Sequence, residues 1–168
     1  DESEEGSTSQ LVLLVCNNIG YKNLTELISR AYKEGQRQGL PTIKYSWLEG
    51  YSDGLIALSG GRLGNIGIAL VSGRQSDAED SLKYLMNIFP QRFYLELQRT
   101  SRADEENYLH AAVELSSKFE CPVVATNDVR FLTPDEFEAH EARVCIYEGR
   151  TLDDPRRERR YSEDQYLK

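Results

Sequence analysis

Short apolar runs alternate with amphipathic helical segments along this chain, and the alternation constrains its fold more than any other feature. Four runs have the length and composition of buried strands, at residues 11–16, 54–59, 92–97 and 122–126. The segments between them are long enough for crossover connections between parallel strands. The sequence therefore predicts an α/β fold built from βαβ units, with the first strand buried on both faces of a parallel sheet.

The helical segments have recognisable start and stop signals. In the first one, Asn23 and Glu26 form a predicted capping pair ahead of an apolar stripe that ends at Gly35. A second helix is predicted from Ser76 up to Pro90, and a third over residues 103–119. A further helix is predicted to begin at residues 133–136.

The two ends differ from the middle of the chain. Residues 1–10 carry four carboxylates and no large apolar side chain, which predicts a flexible acidic segment. Residues 11–150 form the predicted domain. Residues 151–168 form a charged tail leading toward a next domain, in which Ser162 and Gln165 could start a helix.

Charge and cysteine content narrow the function classes. A formal net charge of -8 argues against a module that holds nucleic acid mainly by neutralising phosphates. The three cysteines form no C-x-x-C pair, which favours reduced core thiols over a zinc or redox site. The sequence contains neither an apolar run of about 18 residues nor an initial signal-peptide pattern, so we expect a cytoplasmic protein without membrane contact.

Candidate chemistry lies beyond the carboxyl ends of the predicted strands. Asp128 and Arg130 follow the last strand two residues apart, and the spacing suits either a structural salt bridge or a functional pocket. The glycines of residues 60–64 fit a tight strand-to-helix turn better than a phosphate-binding loop, because the spacing matches neither nucleotide motif. From the residues alone, no active site is identifiable.

The two histidines are weak candidates for catalysis. Neither His110 nor His140 has a spaced histidine or cysteine partner, so a complete multinuclear metal site is not expected. His110 lies within a predicted helix, as a packed or capping histidine would. His140 is next to Glu141, which makes it the more interesting of the two.

Three segments in order resemble a known family. Residues 17–24, 54–61 and 123–131 are similar to the PHP (polymerase and histidinol phosphatase) domain of bacterial DNA polymerase III alpha subunits, the replicative C-family polymerases. This resemblance implies a distorted, TIM-like β/α barrel of seven strands, of which the chain would supply the later part. Further support comes from residues 94–97, 104–110, 140–143 and 151–155.

The resemblance also implies a degenerate metal site. Metal-bearing members carry D-x-H after the late strand, where this chain has Asp128 and Arg130. They place histidine at the positions of Gln10 and Thr100, and cysteine at the position of Gly61. Because a guanidinium is charged and has no lone pair, Arg130 replaces a ligand by a cation, and a metal-free site without catalytic residues is expected.

Such a domain is expected to act as a structural and protein-interaction platform for the proofreading exonuclease subunit. The parent alpha subunit is expected to be a DNA-directed DNA polymerase that uses magnesium in a polymerase domain outside this chain and contacts DNA through its other domains. Two alternatives remain. One is a metal-dependent phosphoesterase or pyrophosphatase with residual activity from Asp128, His140, Glu141 and metal ligands contributed upstream. The other is nucleotide binding at residues 60–64.

Overall fold

A computed structural model describes residues 8–37, 39–102 and 105–168. Strands and helices follow one another along the chain, except that two strands are consecutive within residues 36–41 and two helices within residues 65–88. Single 3₁₀ turns lie at Gly61–Leu63 and Pro134–Glu136. In chain order the strands and helices are β1 (Val12–Val15), α1 (Asn18–Glu34), β2 (Gln36–Arg37), β3 (Leu40–Pro41), α2 (Tyr45–Leu48), β4 (Leu55–Leu58), α3 (Asn65–Val71), α4 (Gln75–Ile88), β5 (Phe93–Gln98), α5 (Glu105–Phe119), β6 (Val123–Thr126) and α6 (Phe137–Glu148).

The main sheet has four strands in the order β1-β4-β5-β6. Strands β4, β5 and β6 are parallel to one another, and α5 is part of the crossover from β5 to β6. Strands β2 and β3 form a separate antiparallel pair. The predicted α/β class and all four predicted strands are confirmed.

The prediction for the first strand is wrong in its direction and its burial. β1 runs antiparallel to β4. Among the described strands β4 is its one partner, so β1 lies at the edge of the sheet. Leu13 packs against the core, whereas Val12 and Leu14, on the opposite face, are 36% and 47% exposed. A continuous apolar run is therefore compatible with an edge strand that helices cover on one face only.

Helix α1 begins six residues earlier than its apolar stripe indicates. The Asn17 side chain accepts hydrogen bonds from the backbone N–H groups of Ile19 and Gly20, at 2.9 and 3.0 Å, so Asn17 and not Asn23 is the N-cap. Gly20 lets the first turn pass directly over Gly54, because a Cβ atom there would lie 1.9 Å from the Gly54 carbonyl oxygen. The predicted end at Gly35 is confirmed.

The core lies between one face of the sheet and helices α3, α4 and α5, and it also includes Leu27 of α1 and Trp47 and Leu48 of α2. On β5, Phe93 and Leu95 face this core and are buried. Because side chains alternate along a strand, Glu96 and Gln98 face the other way. The helices contribute the buried apolar residues Ile66, Ala69, Leu70, Ala78, Leu82, Leu85, Ile88, Tyr108, Ala112 and Leu115.

The C-terminal segment forms no helix at Ser162, contrary to the prediction. The Ser162 N–H does donate to the Gln165 side-chain oxygen at 2.9 Å, but this contact closes a turn instead of a helix. Tyr166 then forms an isolated parallel bridge with Phe131.

The predicted division of the chain into a domain at 11–150 and a tail at 151–168 stays a prediction. Residues 1–7 of the predicted acidic segment lie outside the described residues.

The glycine-rich segment after β4 is a tight strand-to-helix turn, as predicted. Gly60 and Gly61 have φ angles of 77° and 57°, in the left-handed region that favours glycine. Gly64 directly precedes α3 and packs so closely that a Cβ atom there would lie 1.7 Å from the Ser59 carbonyl oxygen.

No helix among the described residues is long and apolar enough to cross a membrane.

The close contact at Gly64 predicts a strong effect of a single methyl group. We expect Gly64→Ala to lower the free energy of unfolding by about 1–3 kcal/mol, as for overpacked sites, because backbone must move to admit Cβ. Gly50→Ala is the matched control, since no atom lies within 4 Å of a Cβ built there. Chemical denaturation of the two variants checks the difference, and equal stabilities would contradict the geometry.

Candidate functional site

A polar cluster lies beyond the carboxyl ends of the parallel strands. Gln98 on β5 is the register partner of Thr126 on β6, and Thr100 and Asp128 each follow two residues later. Gln98 Nε2 donates to Thr126 Oγ1 at 3.2 Å. The side chains that end these two strands are therefore joined directly, at the sheet edge where parallel α/β folds carry their sites.

The guanidinium of Arg102 is the centre of this cluster. It donates to the Asp128 carboxylate (Nη1 to Oδ2, 3.3 Å), to Gln98 Oε1 (3.3 Å) and to Thr100 Oγ1 (2.9 Å). Its Nε atom also lies 3.8 Å from a carboxylate oxygen of Glu105. With only 14% of its side chain exposed, Arg102 connects β5, the following loop, the start of α5 and the end of β6.

Glu105 holds the loop after β5 in place through Thr100. Its carboxylate accepts the Thr100 N–H at 2.6 Å and the Thr100 hydroxyl at 2.8 Å. Both residues are buried, and Glu105 stands in the first turn of α5, where a negative charge faces the positive end of the helix dipole. The buried charge of Glu105 is thus compensated by hydrogen bonds, helix and guanidinium together.

Asp128 accepts hydrogen bonds from three side chains. Arg130 Nη2 lies 2.8 Å from Oδ1, which confirms that the two residues pair as their spacing allowed. Gln165 Nε2 donates to Oδ2 at 2.9 Å, and Arg102 approaches the same oxygen. The Arg130 guanidinium also lies over the Tyr161 ring, 5.2 Å from its centroid.

A third carboxylate, that of Glu96, is buried next to the cluster. Its Oε1 atom accepts hydrogen bonds from Thr126 at 2.5 Å and from Gln98 at 3.2 Å, whereas no described residue bonds its buried Oε2 atom. The Tyr108 hydroxyl donates to the Glu96 carbonyl at 2.7 Å. Burial raises the pKa of Tyr108 to about 12.

The structure brings four of the five sequence-predicted site residues together. Thr100, Asp128 and Arg130 belong to the cluster, and a Cβ atom at Gly61 would lie 3.2 Å from Gln98 Oε1. Gln10 instead borders the glycine turn through its backbone, and its N–H donates to the Leu63 carbonyl at 3.0 Å. Their descent from a metal site stays a prediction.

His140 and Glu141 contact residues of the predicted tail, 151–168. The His140 ring meets Tyr161 edge-on at 4.7 Å, and burial and Arg143 lower its pKa. Glu141 pairs with Arg157 at 2.9 Å, and both side chains are buried. His110 is exposed on α5. The described residues contain no group of three or more histidine, cysteine or carboxylate side chains that could hold a metal ion.

Sequence reasoning missed most of the residues that surround Asp128. Arg102 and Glu105 are three residues apart at a predicted helix start, which was a usable signal for an ion pair. Glu96 and Gln98 alternate with apolar residues on a predicted strand, and this pattern could have marked a polar face. Gln165 had no local signal, because its partner Asp128 lies 37 positions away.

Comparison with known proteins identifies the family. Residues 2–100 match the family model described as PHP domain. This chain belongs to the PHP domain family. Arg102, Asp128, Arg130 and Gln165 lie beyond the stretch that this model matches.

The PHP domain is also similar to longer proteins over nearly its whole length. It is 57% identical to DNA polymerase III subunit alpha of Pseudomonas aeruginosa, over 98% of this chain and 14% of that protein. The Vibrio cholerae protein of the same name is 50% identical over 99% and 15%, and that of Escherichia coli 50% over 95% and 14%. The chain thus spans about a seventh of these relatives.

The central position of Arg102 predicts a large loss of stability on its removal. We expect Arg102→Met to lower the free energy of unfolding by about 3 kcal/mol, because buried Glu105 and half-buried Asp128 lose a compensating charge. Arg99→Met is the matched control in the same loop, since Arg99 pairs with Glu106 at the surface. Equal urea midpoints for the two variants would contradict this central role, since Arg102 would then contribute no more than the surface residue Arg99.

The buried hydroxyl of Tyr108 predicts a pH dependence of stability in the alkaline range. Its pKa is about 12 in the fold and about 10 in the unfolded chain, so the folded state favours the neutral phenol. The contribution of Tyr108 to stability is complete below pH 10 and is lost between pH 10 and 12. Denaturation at several pH values should show this loss for wild type and a smaller one for Tyr108→Phe.

Proposed function

We propose that this PHP domain is a metal-free structural and protein-interaction platform within a DNA polymerase III alpha subunit. The observation that carries the proposal is the pairing of Asp128 with two guanidinium groups, those of Arg102 and Arg130. Arginine supplies donors but no lone pair, so neither residue can act as a metal ligand. The carboxylate that a metal would need is already bound by cations.

Electrostatics supports the same conclusion. A divalent cation near Asp128 would lie within a few ångströms of both guanidinium groups, and like charges at such distances repel strongly where water is scarce. Asp128 Oδ1 lies 2.8 Å from Arg130, and Oδ2 accepts from Gln165 and Arg102. A metal would have to displace these partners, each of which also holds a neighbouring segment in place.

Similarity to longer proteins supports the proposed parent activity. The relatives carry the name DNA polymerase III subunit alpha, which supports a DNA polymerase as the parent protein. Under this proposal the parent uses magnesium and acts in the cytoplasm. Under this proposal the domain contacts the remainder of the alpha subunit and docks the proofreading exonuclease, while other domains contact DNA. The described four-stranded sheet would be the later part of a seven-stranded barrel.

The competing function is a phosphoesterase with residual activity, and one experiment separates the two. We expect the purified protein to carry less than about a tenth of an equivalent of zinc, manganese or iron by elemental analysis, and to hydrolyse no generic phosphoester with or without manganese. The physical reason is that the described residues supply no set of metal ligands around Asp128. Stoichiometric metal together with turnover that Asp128→Ala abolishes would establish the phosphoesterase instead.

Docking of the exonuclease requires its own measurement. Titration calorimetry with the purified exonuclease subunit should give saturable binding whose affinity does not change when a chelator is present. Chelator-sensitive binding would contradict a metal-free platform, and the absence of binding would assign the contact to another part of the alpha subunit.

A further inference from the structure

The polar cluster is covered by the chain's own C-terminal segment, residues 161–167. Two backbone hydrogen bonds align this segment with the strand extension after β6. The Arg130 N–H donates to the Gln165 carbonyl at 2.8 Å, and the Leu167 N–H donates to the Phe131 carbonyl at 3.1 Å. The segment therefore lies beside Asp128 as an added strand would.

The Gln165 side chain enters the cluster and uses its whole amide group there. Its exposed fraction is 0%. Nε2 donates to the Asp128 carboxylate at 2.9 Å and to the Asp128 carbonyl at 3.1 Å, while Oε1 accepts the Ser162 N–H at 2.9 Å. Both amide hydrogens and the amide oxygen are thus satisfied in a place without solvent.

Contacts on both sides of Gln165 fix the rest of the segment. Asn127 Nδ2 donates to the Tyr166 carbonyl at 2.6 Å, and the Ser162 hydroxyl donates to the Thr100 carbonyl. Tyr161 packs between the Arg130 guanidinium and the His140 ring. The loops after β5 and β6 therefore both hold the segment.

We propose that this cluster is a peptide-binding socket whose ligand is the chain's own segment 161–167, with the Gln165 carboxamide as the recognised group. The charges explain the choice of a neutral side chain. A cation at this position would face Arg102 and Arg130, and a carboxylate would face Asp128 at hydrogen-bond distance. A carboxamide of glutamine length donates to Asp128 without adding charge.

Hydrogen exchange at the Arg130 and Leu167 amides tests the socket in the full chain. We expect Gln165→Glu and the similarly sized Gln165→Met each to speed exchange at these two amides at least tenfold, since the segment opens locally. Glu163→Gln, an exposed change in the same segment, is the matched control and should exchange like wild type. The measurement needs neither metal nor exonuclease, so its result is independent of the proposed platform function.

A charge exchange separates recognition from simple packing. In the double variant Gln165→Glu/Asp128→Asn the side-chain donor and acceptor swap places, and we expect exchange at least threefold slower than in Gln165→Glu alone. Recovery stays incomplete because the carbonyl of residue 128 loses the donor that Nε2 supplies. Asp128→Asn should give no recovery when combined with Gln165→Met. Wild-type exchange rates in both single Gln165 variants would overturn the socket, and so would unfolding of the whole domain by Gln165→Met.

Discussion

The guanidinium of Arg102 is the interaction on which the described site depends. It touches groups from the end of β5, the loop that follows, the first turn of α5 and the end of β6. These elements meet because the parallel strands end at one sheet edge. Without Arg102, the negative charges of Glu105 and Asp128 would lie near each other with no shared cation between them. A planar cation with five donors satisfies several acceptors at once, which a lysine could not do.

The same arrangement shows how arginine side chains can hold carboxylates together at the ends of the strands. A metal ion and a guanidinium both place positive charge among carboxylates, but the guanidinium remains covalently attached to the chain. Asp128 retains its position at the strand end because Arg102, Arg130 and Gln165 each donate to it. Its charge then contributes to structure, and the cost of burying it is offset within the domain.

The sequence predicted the strands better than their surroundings. Four short apolar runs bounded by glycine, proline or polar residues located the sheet, since burial between helices requires such runs. The antiparallel direction of β1 and the cap at Asn17 were missed, because both depend on contacts with Gly54 and β4, far along the chain. The role of Gln165 was beyond local reasoning for the same reason, whereas the pairing of Asp128 with Arg130 followed from their spacing.

The distance along the chain between Asp128 and Gln165 has a consequence for synthesis on the ribosome. The two residues are 37 positions apart, and translation at about 5–20 residues per second separates their emergence by about 2–7 seconds. During that interval the sheet can already form while the Asp128 carboxylate still faces water on one side. The surroundings of Asp128 are therefore among the last parts of the nascent domain to be completed.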